Sequence, residues 1–187
     1  MKLVYDPKLL QICRIYEFLY LGGMEKNYIL SPEVAAKKIK RMAFEILENN
    51  FGETGFILAG IRENGTVIAF TIQELLKEIA GLQTELITIS LDKKNPGEVT
   101  LNRFPDFQNQ VIILIDDVSN SGKTLLYAIK PFLDLNPKKI QTLVLVERSH
   151  NTFPVKPDYV GLSVATTLQE HIYVEVEAGR VKGAWLE

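Results

Sequence analysis

Two hydrophobic rhythms alternate along the chain. Residues 8–21 place Leu9, Leu10, Ile12, Cys13, Ile15, Tyr16, Leu19 and Tyr20 at helical spacing, and the pattern stops at Gly22-Gly23. A second helix is announced by Ser31-Pro32-Glu33: a capping hydroxyl, a proline for the first turn, and an acid near the positive helix end. It carries Val34, Ala35, Ile39, Met42, Ala43, Ile46 and Leu47 before breaking at Asn49-Asn50 and Gly52. Residues 56–61 then form a continuous apolar run, the pattern of a strand covered on both faces. A helix over 66–80 closes at Gly81, and a second strand covers 86–91.

Residues 92–110 turn polar, with Asn95-Pro96-Gly97 as a turn inside a long loop, and loops of that length in compact domains are often functional. The most apolar strand follows at 111–115 and runs straight into Asp116-Asp117. Helix resumes at Gly122, and Pro131 must interrupt or kink it. Residues 140–146 predict another strand, 148–157 are irregular, and short strands are expected at 159–164 and 171–177. Strands alternating with helices predict an α/β fold with a mostly parallel sheet and helices on both faces.

Composition narrows the options. With 187 residues, 47% of them hydrophobic and 24% charged, one substantial domain with a short appendage is the simplest count. A net charge of −2 gives no global attraction for polyanions, so any nucleic-acid contact needs a local basic patch. The single cysteine, Cys13, has no partner within the chain and sits among apolar residues, which fits a buried side chain in a reducing, cytoplasmic setting. The first residues are too short an apolar run for a signal peptide, and no stretch approaches the roughly 20 apolar residues of a membrane span.

The chemistry concentrates where the most buried strand ends. Ligands of parallel α/β sheets bind outside the carboxyl ends of the strands, and there this chain places two acids, then Ser119-Asn120-Ser121-Gly122, then Lys123-Thr124 opening a helix. Small residues let backbone N–H groups close around an anion. An acid pair beside an anion cradle suits a ligand with both hydroxyls and a phosphate, a ribose phosphate. A nucleotide-binding P-loop is excluded, because the glycine that motif needs five positions before Gly122 is Asp117, whose charge repels a triphosphate.

The run VIILIDDVSNSGKT is similar to the signature of type I phosphoribosyltransferases, which bind 5-phosphoribosyl-1-pyrophosphate (PRPP). The resemblance implies a type I phosphoribosyltransferase fold, Rossmann-like, with a small hood over the sheet. It gives Asp116 and Asp117 the ribose hydroxyls and gives Ser119, Asn120, Ser121, Gly122, Lys123 and Thr124 the 5′-phosphate. It places Arg62, Glu63, Asn64 and Gly65 in the pyrophosphate loop, and Glu147, Arg148 and Val164 on the base-binding side. Residues 29–50, 147–150 and 153–161 look most like the pyrimidine operon attenuator/uracil phosphoribosyltransferase branch, PyrR. On that resemblance residues 1–28 are a helical extension and 29–187 the transferase domain, its hood formed mainly by 148–187.

The implied activity is pentosyl transfer from PRPP to a nucleobase, uracil by the PyrR-like segments, with release of pyrophosphate and a place in pyrimidine salvage. Magnesium is the implied cofactor, held through PRPP and water without a protein ligand cluster. Assembly as a homodimer or larger is implied as well. Two departures stand against the branch. Ser90-Leu91-Asp92-Lys93 replaces a segment whose arginine closes on pyrophosphate, leaving Lys93, Lys94 or Arg103 as substitutes, and a lysine lacks arginine's bidentate fork. Asn64 stands where the branch has arginine, so Arg62 either covers the phosphate or is a solvated loop residue.

Several roles stay open at this level. Glu147 either accepts a hydrogen bond from a base N–H or pairs with Arg148 or Lys156. Asn120 cannot act as a base, and His150 reads as a loop histidine. Three functions follow in order: a transferase, a PRPP- or nucleotide-binding regulator with little catalysis, and an RNA-binding attenuator.

Overall fold

The computed structural model describes residues 26–92, 96–165 and 170–187. The expected N-terminal helix, Cys13 and the Lys93-Lys94 pair lie outside the described residues. In chain order the elements are β1 (Asn27–Leu30), α1 (Pro32–Asn49), β2 (Phe56–Ile61), α2 (Asn64–Ala80), β3 (Glu85–Ser90), β4 (Thr100–Leu101) and β5 (Val111–Ser119). They continue with α3 (Lys123–Ile129), a 3-10 turn (Lys130–Leu135), β6 (Lys139–Arg148), β7 (Tyr159–Val164), β8 (Ile172–Glu177) and β9 (Arg180–Leu186).

Six strands form the central sheet in the order β4-β3-β2-β5-β6-β7, parallel except for the short edge strand β4. Helices cover both faces, as the alternation predicts. Ile39, Met42 and Ile46 of α1 and Ile68, Ile72 and Leu76 of α2 pack on Leu58, Ile113 and Ile115. On the other face Leu125, Ala128, Phe132 and Phe107 pack on Ile57, Ala59, Ile112 and Leu114. This two-sided burial is why β2 and β5 are apolar at consecutive positions rather than alternate ones.

Local signals place most of the helix ends. The Ser31 hydroxyl accepts the Val34 N–H at 3.3 Å, a cap worth about 1 kcal/mol. Gly81, at φ 65°, closes α2 by donating its N–H to Leu76 and Lys77 carbonyls. At the other end α2 begins at Asn64, two residues earlier than expected. Helix α3 stops at Ile129 and Pro131 sits in the 3-10 turn, since proline has no N–H to continue the ladder.

The hood differs most from expectation. It is a three-stranded antiparallel sheet, β1-β9-β8. The expected boundary at 28/29 falls inside β1, and β7 belongs to the central sheet. Strand β9 is an element the chain's local pattern does not announce, because its pairing joins Asn27 to Leu186 across nearly the whole chain. Leu30, Val174 and Ala184 turn inward to the core, and Tyr173 stacks on Trp185 with ring centroids 4.5 Å apart. Among the described residues no helix is long and apolar enough to cross a membrane.

Candidate functional site

A cavity of about 350 Å³ opens beyond the carboxyl end of β5. Its floor is Asp117 and residues 118–125, its side is Asn64, and its cover is Ile172, Tyr173 and Val174 of β8. Sequence reasoning missed these hood residues. Their only local trace is the apolar alternation Ile172, Val174, Val176, which marks a strand but not what it covers.

The acid pair is divided by the strand. Asp116 falls on the face of β5 that carries Ile112 and Leu114 and is 1% exposed. Its Oδ1 accepts the Asp117 N–H at 2.9 Å. Asp117 is half-buried and lines the cavity; Asp116 is not among the lining residues described. Asp117 Oδ1 accepts the Val118 N–H at 2.9 Å, and its Oδ2 accepts from Asn64 Nδ2 at 2.8 Å.

The next residues form the turn expected to hold an anion. Gly122 has φ 79°, a left-handed conformation that side chains resist, and a Cβ there would meet the Val155 carbonyl oxygen at 3.0 Å. The Thr152 and Phe153 N–H groups both donate to the Ser121 carbonyl, at 3.1 and 2.9 Å, so the segment after β6 braces the turn from outside. Ser121 Oγ accepts the Lys123 N–H at 3.3 Å. Ser119 is 3% exposed, and its Oγ has no hydrogen-bond partner among the described residues. A buried hydroxyl left unsatisfied costs free energy that a ligand oxygen can relieve.

Arg62 and Glu63 connect β2 to α2, whose first residues are Asn64 and Gly65, beside the cavity. The Arg62–Glu63 peptide is cis. The Arg62 N–H donates to the Ile89 carbonyl at 3.0 Å, and the Arg62 and Glu63 side chains are exposed. Asn64 points at Asp117 and at the hood, donating to Val174 O at 3.0 Å. Gly65 is buried against β5.

On the side expected to face the base, Glu147 and Arg148 are each 8% exposed at the end of β6. The parallel register sets Ser119 beside Glu147, Glu147 beside Ser163, and Arg148 beside Val164. Among the described residues Glu147 makes neither of its expected ion pairs, to Arg148 or to Lys156. Arg148 Nη2 donates instead to the Glu170 carbonyl. None of Glu147, Arg148 and Val164 is among the cavity's described lining. His150 is exposed, and Arg103 donates to the Leu86 carbonyl, which binds it to β3. Among the described residues no three His, Cys, Asp or Glu side chains converge to hold a metal ion.

A parallel sheet, an acid-and-turn site at the end of its central strand and a hood above it define a phosphoribosyltransferase architecture. The chain belongs to the phosphoribosyl transferase domain family, in its type I branch, whose match spans residues 28–178. Within that family it is PyrR-like. It is 36% identical over 158 residues to the Bifunctional protein PyrR of Streptococcus mutans, covering 82% of this chain and 90% of that protein. The Bifunctional protein PyrR of Streptococcus pneumoniae is 32% identical, with 82% and 91% covered.

Solved structures with the same fold include a hypoxanthine phosphoribosyltransferase of Trypanosoma cruzi, at a TM-score of 0.71 and 14% identity, covering 87% of this chain and 94% of that one. A hypoxanthine-guanine phosphoribosyltransferase of Bacillus anthracis matches at 0.66 and 21%, covering 79% and 86%. At these identities the likeness is one of fold.

Proposed function

We propose that the chain binds PRPP in this cavity and transfers its phosphoribosyl group to a nucleobase, uracil by its PyrR-like segments. One observation carries the reading: a single cavity joins a carboxylate, Asp117, to the small-residue turn Ser119-Asn120-Ser121-Gly122-Lys123-Thr124. The turn takes the 5′-phosphate through its backbone N–H groups and the Ser119 hydroxyl. Asp117 takes a ribose hydroxyl, while Asp116 holds the Asp117 backbone from below.

In the reaction the bond from the anomeric carbon to pyrophosphate breaks, a bond to a base nitrogen forms, and the base proton leaves. Positioning and charge stabilisation supply the catalysis, because the sugar passes through a loose, cationic transition state. Glu147, a carboxylate beside the turn and without a protein partner among the described residues, accepts the base N–H. Arg62, exposed at the loop, reaches pyrophosphate. Magnesium takes one or two carboxylates and otherwise ligand and water oxygens, a donor set that Asp117 and PRPP together match. When bound, it would offset the negative charge of the departing pyrophosphate.

A weakly catalytic nucleotide-binding regulator is the second reading. It is favoured by the engagement of Arg103 with Leu86 and of both Asn64 amide hydrogens with protein acceptors, which leaves Arg62, among the described residues considered for that role, as the cation for pyrophosphate. Incubation of the chain with radiolabelled uracil, PRPP and Mg²⁺ decides between them, with Asp117→Asn as control. Nucleotide formation that Asp117→Asn abolishes is expected. PRPP binding by calorimetry without turnover on any common base selects the regulator, and no binding at all sinks both. Assembly as a homodimer or larger belongs to the proposal, and a monomer on sedimentation would contradict it.

A further inference from the structure

We propose that Asn64 is a positioning residue that straps the hood to the ribose-binding carboxylate. The inference rests on the PRPP reading above and goes beyond it by assigning the residue that orients Asp117. Asn64 is the first residue of α2, and its side chain meets two other elements. Nδ2 lies 2.8 Å from Asp117 Oδ2 at the end of β5 and 3.0 Å from the Val174 carbonyl oxygen on β8. A side-chain amide carries two hydrogens, so one nitrogen serves both acceptors. Asp117 is gripped on each oxygen, by Asn64 on Oδ2 and by the Val118 N–H on Oδ1, which fixes the plane of the carboxylate.

The neutrality of the donor matters. A carboxylate that must receive ribose hydroxyls beside a magnesium ion works through its negative charge. Asparagine orients the carboxylate and leaves its charge available. Val174 is buried in the core and, with Ile172 and Tyr173, covers the cavity. One side chain therefore ties the hood to the carboxylate of Asp117.

The test uses the full chain as wild type, Asn64→Leu (no donor) and Asn64→Asp (similar shape, donors replaced by a second negative charge). Each is titrated by calorimetry with inorganic phosphate, which needs only the turn, and with PRPP and Mg²⁺, which needs Asp117 as well. Amide hydrogen exchange of β8 is followed in parallel. Phosphate affinity should stay within about twofold, while Asn64→Leu weakens PRPP about tenfold and Asn64→Asp weakens it further. Exchange across β8 should accelerate in both variants. Unchanged PRPP affinity in Asn64→Leu overturns the proposal, as does a loss of phosphate affinity in proportion to that of PRPP. Should the wild type bind phosphate but not PRPP, the ribose reading of the cavity fails on its own. Unchanged β8 exchange would then dispose of the strap separately.

Discussion

Gly65 and Ile115 touch backbone to backbone where α2 passes the end of β5: a Cβ built on Gly65 would lie 2.5 Å from the Ile115 carbonyl oxygen and 3.2 Å from the Asp116 Cα. A carbonyl in a central strand cannot rotate aside as a side-chain tip can. The glycine thus brings the first turn of α2, which carries Asn64, within reach of the strand that carries Asp117.

Gly65→Ala should accordingly force the two apart. A loss of about 1–3 kcal/mol is expected, the usual cost of overpacking a tight site, together with weaker PRPP binding through the displaced Asn64–Asp117 pair. Urea unfolding and calorimetry measure the two effects. A variant as stable as the wild type would mean the start of α2 yields freely, and the close approach would have no consequence.

Glu147 offers a second test, aimed at the base rather than the ribose. Glu147 is 8% exposed beside Ser119, and its carboxylate has no hydrogen bond or ion pair among the described residues. Glu147→Gln exchanges a charged acceptor for a neutral amide. Losing a charge-assisted hydrogen bond to a base N–H should lower kcat/KM for the base by about tenfold or more. PRPP affinity should not move. Equal losses toward both substrates would show that Glu147 serves the sheet instead.

Tyr159 predicts the alkaline behaviour of the fold. Burial pushes its phenol above the ordinary value of 10.0, outweighing the hydrogen bonds with Asn49, Asn50 and Gln141 that pull it down. The folded chain therefore keeps this proton where the unfolded chain loses it. The associated stability is fully present below the unfolded value and is lost as pH rises through the raised folded value. Tyr159→Phe removes the titration and the bond from Asn50 Nδ2, 3.2 Å long. It should cost about 1 kcal/mol at neutral pH and flatten the decline above about pH 10. A variant whose alkaline decline matched that of the wild type would exclude Tyr159 as its source.

Much of the scaffold and the turn were legible locally. The apolar run of residues 111–115, the acids after it and Ser119 to Thr124 lie within one short stretch, so steric and electrostatic rules for neighbouring residues suffice to interpret them. The same rules placed the capped start of α1, the glycine end of α2 and the break at Pro131. They did not separate the two acids. Asp116 and Asp117 are chemically identical in sequence, and only the face of β5 on which each side chain falls, together with what covers that face at the strand's end, distinguishes the acid that lines the cavity from the buried one.

What the amino-acid order determined by itself was an alternating α/β chain with an acid pair and an anion-sized turn at the end of its most apolar strand. Tertiary structure decided the rest. It joined Asn27–Leu30 to the last strand, set Ile172, Tyr173 and Val174 over the turn, and brought Asn64 between Asp117 and Val174. These contacts bridge residues far apart along the chain, 53 positions in the case of Asn64 and Asp117. Their formation depends on which surfaces the core buries together, and that leaves no pattern in any short stretch of sequence.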